Sequence, residues 1–299
     1  MLYHPNQEGG RRVNIKNLWL AAALAIIAAG PAAASVNIVA AENFYGDIAR
    51  QIGGNNVSVI SILNNPDQDP HLFEVSPSVG REVSTAAIVV YSGLDYDQWM
   101  PDLLAASPAT GRQVIVVAPL GGHRGGDNPH VWYDVATMEG YAEKLAAVLA
   151  AEDPAHTAAY QSNLAAFQQS LAPLNSRIAT LRTRLAGLKV AATEPVFGYM
   201  AAALGLDVRD NGFQLAVMNG TEPSARQIAG IEQDLQDHLV RLLIYNSQAS
   251  DTTADRMRRI ALASHVPLLA VTETEPAGQD YQQWMTGALE ALAQALPTS

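Results

Sequence analysis

Between Asp153 and about Leu188, apolar residues recur at three- and four-residue steps: Leu164, Phe167, Leu171, Leu174, Ile178, Leu181 and Leu185. That period is helical, and a helix of this length reaches about 50 Å at 1.5 Å per residue. Asp153-Pro154 supplies a cap and a first-turn proline, and Pro173 predicts a kink or a division in the middle. On both sides of the stretch, short β-branched runs alternate with helical segments, the pattern of parallel sheets covered by helices. The chain therefore reads as α/β, with two lobes, each a small parallel sheet flanked by helices, joined by one long rigid helix.

In the first half, strands are expected at Val36–Ala41, Val57–Leu63, Ala87–Tyr91 and Gln113–Ala118. Helices are expected over Phe44–Ile52, after the Ser76-Pro77 cap, from near Tyr96, and from Asp134 to Ala150. In the second half, strands fall at Leu188–Ala192, Val240–Tyr245 and Pro267–Val271. Helices there are expected over Val196–Leu204, Ala225–Gln236, Thr253–Ser264 and Tyr281–Leu296, with Ser224 and Gln227 forming a capping box. The boundaries read as 1–34, 35–152 (first lobe), 153–187 (linking helix) and 188–299 (second lobe).

Residues 1–34 have the make-up of a cleaved export signal. Arg11, Arg12 and Lys16 precede the apolar run Leu18–Ala29, and Ala32-Ala33-Ala34 offers a small-residue cleavage site. Arg11-Arg12 hints at a twin-arginine route, weakened by Asn14 where an aromatic belongs. Loss of the segment takes away three basic residues and Glu8, moving the net charge from −11 to about −13. Such a surface disfavours nucleic acid and anionic lipid as partners and is compatible with attracting cations. The chain contains no cysteine, so neither a disulfide framework nor a cysteine-borne lipid is expected. The mature protein is expected to be a free monomer in a compartment such as a periplasm.

Ligands of open parallel sheets bind beyond the carboxyl ends of the strands. There the sequence places His71, His130, Glu194, Asn246, Glu273 and Glu275. Two imidazoles and two carboxylates form a mixed nitrogen and oxygen set suited to Mn²⁺, Fe²⁺ or Zn²⁺. Each residue also has an ordinary reading: a loop histidine, a helix-start acid, a solvated glutamate. His123, His156, His238 and His265 read as surface or structural, and Met200 and Met218 as packing.

Several motifs at these positions resemble the periplasmic metal-binding proteins of bacterial ABC importers for zinc and manganese. They are Asp69-Pro70-His71-Leu72-Phe73-Glu74 with Ser76-Pro77-Ser78, and Ile88–Leu94 followed by Trp99. The others are Asn128-Pro129-His130-Val131-Trp132-Tyr133-Asp134, Glu194-Pro195-Val196-Phe197-Gly198-Tyr199 and Glu222-Pro223-Ser224. The resemblance covers essentially the whole mature chain. It implies metal cargo, Zn²⁺ or Mn²⁺, bound between the lobes by His71, His130, Glu194 and Glu273, with no catalytic residues and no catalytic cofactor. It also implies an ABC permease and its ATPase as partners.

The departures from the family pattern are informative. Zinc-type members usually carry a third histidine at the position of Glu194, and manganese-type members a glutamate. Many members have an aspartate after the last strand, where Glu273 and its near neighbour Glu275 stand here. Asn246 replaces a frequent glutamate, and the loop before His130 holds only His123. Two other functions fit two histidines and a glutamate: a metal-dependent hydrolase, and an adhesin-like protein with a structural metal. Neither H-E-x-x-H nor G-x-S-x-G occurs.

Overall fold

The first strand, β1 (Val36–Glu42), is apolar at nearly every position because helices cover both of its faces. Ile38 and Ala40 point to one core, Val39 and Ala41 to the other. This computed structural model describes residues 1–4, 35–66, 68, 70–249 and 252–296. Ser35–Ser299 forms one compact unit. The expected export signal lies outside the described residues except for its first four, as does Asp69 of the first motif.

β1 is followed by α1 (Asn43–Gly53), β2 (Val57–Leu63), α2 (Pro77–Thr85), β3 (Ile88–Tyr91), α3 (Trp99–Ala106), β4 (Gln113–Val116) and α4 (Val135–Glu152). The strands pair in parallel in the order β2-β1-β3-β4. Then α5 (Thr157–Ser170) and α6 (Ala172–Leu185) run on from one another through Leu171, which keeps right-handed helical angles. The division expected from Pro173 is present, because proline has no N–H to give to the preceding turn.

The second lobe contains β5 (Lys189–Ala192), α7 (Gly198–Ala203), β6 (Asp207–Val208), α8 (Asn211–Met218), α9 (Ala225–Gln236), β7 (Leu243–Asn246), α10 (Thr252–Ala263), β8 (Leu268–Val271) and α11 (Tyr281–Ala295). Its strand order, β6-β5-β7-β8, repeats that of the first sheet. The two lobes thus share a topology that their residues do not share as a sequence repeat.

Most expected elements are found within a few residues. Asp134 caps α4 through Ala136, and Ser224 and Gln227 form the capping box of α9. Ser76 stands at the N-cap of α2, but its hydroxyl bonds Ser78 instead of a backbone amide. α3 starts at Trp99, later than expected, because Gly93, Leu94 and Asp95 take positive φ and Asp97 accepts the Ser92 and Gly93 amides. β6 and α8 carry too little signal to be read: one has two residues, and Asp210 before the other is left-handed instead of a side-chain cap.

One buried core runs through both lobes by way of α1, α4, α5, α6 and α11. Aromatic rings form its seam. Phe44 lies 4.9 Å from Trp132 and 5.7 Å from Trp284, Trp284 lies 5.4 Å from Tyr133, and Tyr133 lies 5.2 Å from Phe197. Polar links lock it: Tyr281 OH donates to the Trp132 carbonyl at 2.9 Å and Tyr133 OH to the Thr272 carbonyl at 2.9 Å. Replacing Tyr281 by phenylalanine leaves the buried Trp132 carbonyl without that donor. Urea unfolding of Tyr281→Phe is expected to show a loss of about 1–2 kcal/mol with an unchanged m-value.

Candidate metal centre

Glu273 lies two residues beyond β8 and is fully buried. A carboxylate with no access to water needs compensating partners. Asn246, the last residue of β7, donates Nδ2 to Glu273 Oε1 at 2.6 Å. Tyr96, from the loop after β3, donates its hydroxyl to Oε2 at 2.9 Å. The same Oε2 lies 3.4 Å from His130 Nε2 and 3.5 Å from His71 Nε2. His71, His130 and Glu273 each offer one ligand atom, all within 4.8 Å of one another. The groups come from loops after the strands of both sheets, so the cluster sits between the lobes.

His130 carries the most information. It precedes the short turn Val131–Tyr133 and is wholly buried. Its Nδ1 lies 2.6 Å from Asn128 Oδ1, which also accepts the His130 backbone N–H at 3.1 Å. Asn128 Nδ2 donates to the Pro195 carbonyl at 2.7 Å, and this fixes which end of the amide is the oxygen. The Nδ1 proton of His130 is therefore held by Asn128. In the neutral ring Nε2 is a bare lone pair, buried without a hydrogen-bond partner and facing the carboxylate. Two acceptors at that distance repel unless a cation lies between them: either a proton on the ring or a metal ion.

The charges agree. Burial pushes the Glu273 carboxyl up, but the two imidazoles beside it, when they carry a proton, outweigh burial and hold the group well below the usual carboxylate range. Burial, then the charge of Glu273, raises the Tyr96 phenol well above normal, so Tyr96 remains a donor. Behind it, burial and the charge of Asp97 raise the Glu42 carboxyl strongly, and burial raises Asp97 to about 6.

Glu194 begins the turn Pro195–Phe197 after β5 and is 4% exposed. Its Oε2 accepts from Asn246 Nδ2 at 3.3 Å, so one amide group spans the two glutamates. Glu194 thus borders the cluster of three and is joined to it through Asn246. Glu275 points elsewhere and lines a different cavity, where burial first and the charge of Asp47 second push its carboxyl up to about 9. The half-exposed His71 opens the cluster onto a cavity of about 710 Å³ lined by Phe73, Tyr96, Trp99, Asp95 and Asp127.

The histidines read from the sequence as surface or structural lie outside the cluster. His238 and His265 take positive φ just past α9 and α10. His156 bonds Asp153, and His123 bonds Asp134 and Thr137. Met200 is buried packing.

The sequence assigns no role to three supporting residues, although two of them, Asn128 and Gly198, stand inside its motifs. Gln248 Oε1 accepts the Glu273 amide at 2.6 Å while Nε2 donates to the Pro66 carbonyl at 2.8 Å, tying the approach to His71 to the loop of Glu273. Asn128 orients His130. Gly198 makes room for it, since a Cβ there would lie 2.6 Å from Asn128 Nδ2. Asn128 was within reach, being two residues before a candidate ligand; Gln248 had no local signal.

The architecture is one of two lobes, each a parallel sheet, with donors converging at the carboxyl ends of their strands. Residues 38–295 match the family described as zinc-uptake complex component A, periplasmic, and the chain belongs to that family. It is 24% identical to the metal ABC transporter substrate-binding lipoprotein ScbA of Streptococcus cristatus over 282 residues, 87% of this chain and 89% of that protein. It is 22% identical to the manganese ABC transporter substrate-binding lipoprotein PsaA of Streptococcus anginosus, with the same coverage. In fold it matches the periplasmic zinc binding protein TroA of Treponema pallidum, with TM-score 0.75, 19% identity and coverage of 88% of this chain and 100% of that one.

Asn128→Ala removes the acceptor that fixes the His130 tautomer. Calorimetric titration of this variant is expected to show metal affinity lower by about 10–100-fold, the usual effect of losing an outer-sphere partner.

Proposed function

We propose that this protein captures a divalent transition metal, Zn²⁺ or Mn²⁺, between its lobes and presents it to an ABC permease and its ATPase. The observation that carries the reading is the buried Nε2 of His130, its Nδ1 proton held by Asn128, facing the carboxylate of Glu273 beside His71. Membership of the zinc-uptake family and the manganese and zinc named for PsaA and TroA support it.

In this reading His71, His130 and Glu273 ligate the ion, with Glu194 as the fourth ligand. Two neutral imidazoles and two carboxylates balance a divalent charge. The mixed nitrogen and oxygen donors suit manganese and are accepted by zinc. The ion takes the place of the proton between His130 and Glu273, so binding releases protons and weakens as the pH falls. Asn246, held by both glutamates, keeps their carboxylates together with or without the ion. The aromatic seam between the lobes favours small loop movements on release over a wide hinge. Binding is reversible and involves no catalysis.

Residues 1–34 are a cleaved export signal in this account, 35–152 and 188–299 the lobes, and 153–187 their link. Among the described residues no helix is long and apolar enough to cross a membrane. The curated relatives are named lipoproteins, whereas this chain has no cysteine to carry a lipid. In this account the working form is a monomer free in the periplasm.

Calorimetric titration of metal-free protein with Zn²⁺ and Mn²⁺ is expected to give one tight site per chain. His130→Ala and Glu273→Gln should each weaken it by about 100-fold or more, since each removes a ligand. Tight binding untouched by both substitutions would refute the assignment.

A further inference from the structure

One short segment of the second lobe, Glu194-Pro195-Val196-Phe197-Gly198-Tyr199, meets Asn128 of the first lobe in three ways. The Pro195 carbonyl accepts from Asn128 Nδ2 at 2.7 Å. Gly198 leaves the space that the amide fills. Tyr199, the second residue of α7, donates its hydroxyl to the Asn128 backbone carbonyl at 2.7 Å. A phenol has one proton to give, and that carbonyl is its nearer acceptor. His123 Nδ1 lies 3.3 Å from the same hydroxyl on its other side, with the two rings 4.6 Å apart. His123 is itself held at the start of α4, its Nε2 3.0 Å from Thr137 Oγ1 and 3.2 Å from Asp134 Oδ2. Burial, then the charges of Asp127 and Asp134, push the Tyr199 phenol up to about 12, so it keeps its proton at neutral pH.

The carbonyl that Tyr199 holds belongs to the peptide joining Asn128 to Pro129, and a residue before proline has a restricted backbone. The second lobe therefore fixes Asn128 twice, at its backbone through Tyr199 and at its side chain through Pro195. The remaining end of the amide faces His130: Oδ1 lies 2.6 Å from Nδ1 and accepts the backbone N–H at 3.1 Å. If Glu194–Tyr199 moved away from the first lobe, Asn128 would lose both contacts at once. The acceptor that keeps the proton on Nδ1 of His130 would then be free to turn.

We propose that Tyr199 is a positioning residue through which the second lobe holds the donor state of His130. Contact between the lobes fixes Asn128, and Asn128 keeps Nδ1 protonated and Nε2 directed at Glu273. The consequence for metal affinity rests on the reading of His71, His130 and Glu273 as the metal site; the hold on His130 does not. In that reading, one motion of the segment weakens two ligands together, withdrawing Glu194 and releasing His130.

The test compares Tyr199→Phe, which keeps the ring and loses the hydroxyl, with Tyr141→Phe. Tyr141 is a fully buried tyrosine of the first lobe whose hydroxyl donates to the Tyr45 carbonyl at 3.0 Å. Two quantities are read. One is the exchange with water of the His130 Nδ1 proton, by NMR of metal-free protein labelled with ¹⁵N-histidine. The other is Zn²⁺ affinity, by calorimetric titration. Tyr199→Phe is expected to speed the exchange by about tenfold, since the acceptor opens more often. It should weaken Zn²⁺ binding by about tenfold, the lower end of the effect of losing an outer-sphere partner. Tyr141→Phe should change neither. Unchanged exchange in Tyr199→Phe would overturn the proposal, and so would equal changes in Tyr141→Phe, which would mean a general loosening of the core. Faster exchange with unchanged Zn²⁺ affinity, where His130→Ala loses binding, would overturn the role in metal binding. If the wild type binds no metal, the proposed function fails by itself, and the exchange rate still decides whether Tyr199 holds His130.

Discussion

A carboxylate with no exposure, Glu273, is the constraint on which the arrangement between the lobes depends. Its charge is tolerated only because four groups from separate strand ends converge on it: Asn246, Tyr96, His130 and His71. Three of its partners, Tyr96, His71 and His130, come from the first half of the chain, and Asn246 comes from the second. Were the lobes to separate, the charge would lose its tyrosine and both imidazoles together. The aromatic seam of Phe44, Trp132, Tyr133, Trp284 and Phe197 holds the lobes at the spacing this cluster needs.

The polar layer around the cluster decides its chemistry. Asn128 converts His130 from an ambiguous ring into one with a defined lone pair, and Gly198 leaves the space for Asn128 to do so. Gln248 fixes the backbone of Glu273 and Thr274 and reaches across to the loop that leads to His71. Asn246 holds Glu194 and Glu273 with a neutral amide where a glutamate would add a third negative charge. His71 is the member of the cluster that opens onto the neighbouring cavity.

Much of this was legible in the sequence because it rests on local rules. β-branched runs such as Val57–Leu63 favour strands, and the Ser224 capping box marks the start of α9. The long amphipathic stretch reads as one linking helix that Pro173 kinks or divides, and the structure has two helices in tandem there. His71, His130 and Glu273 were candidates because ligands gather past strand ends, which is a rule of topology, and the structure brings their donor atoms within 4.8 Å of one another. What stayed hidden depends on contacts between distant residues. Nothing near Glu275 in the chain separates it from Glu273; the difference is that Asn43, 232 residues earlier, turns it toward Asp47. Tyr96 and Gln248 acquire their roles only when the lobes meet, and β6 is too short to leave a pattern.

The central claim is that a cation belongs between His130 Nε2 and Glu273. Anomalous diffraction at the metal absorption edge, from crystals of protein loaded with one equivalent of Zn²⁺ or Mn²⁺, tests it most directly. The account predicts one strong peak at bonding distance from Nε2 of His71, Nε2 of His130 and a carboxylate oxygen of Glu273, with Nδ1 of His130 still on Asn128. A single peak elsewhere, or a His130 ring turned so that Nδ1 meets the metal, would contradict it.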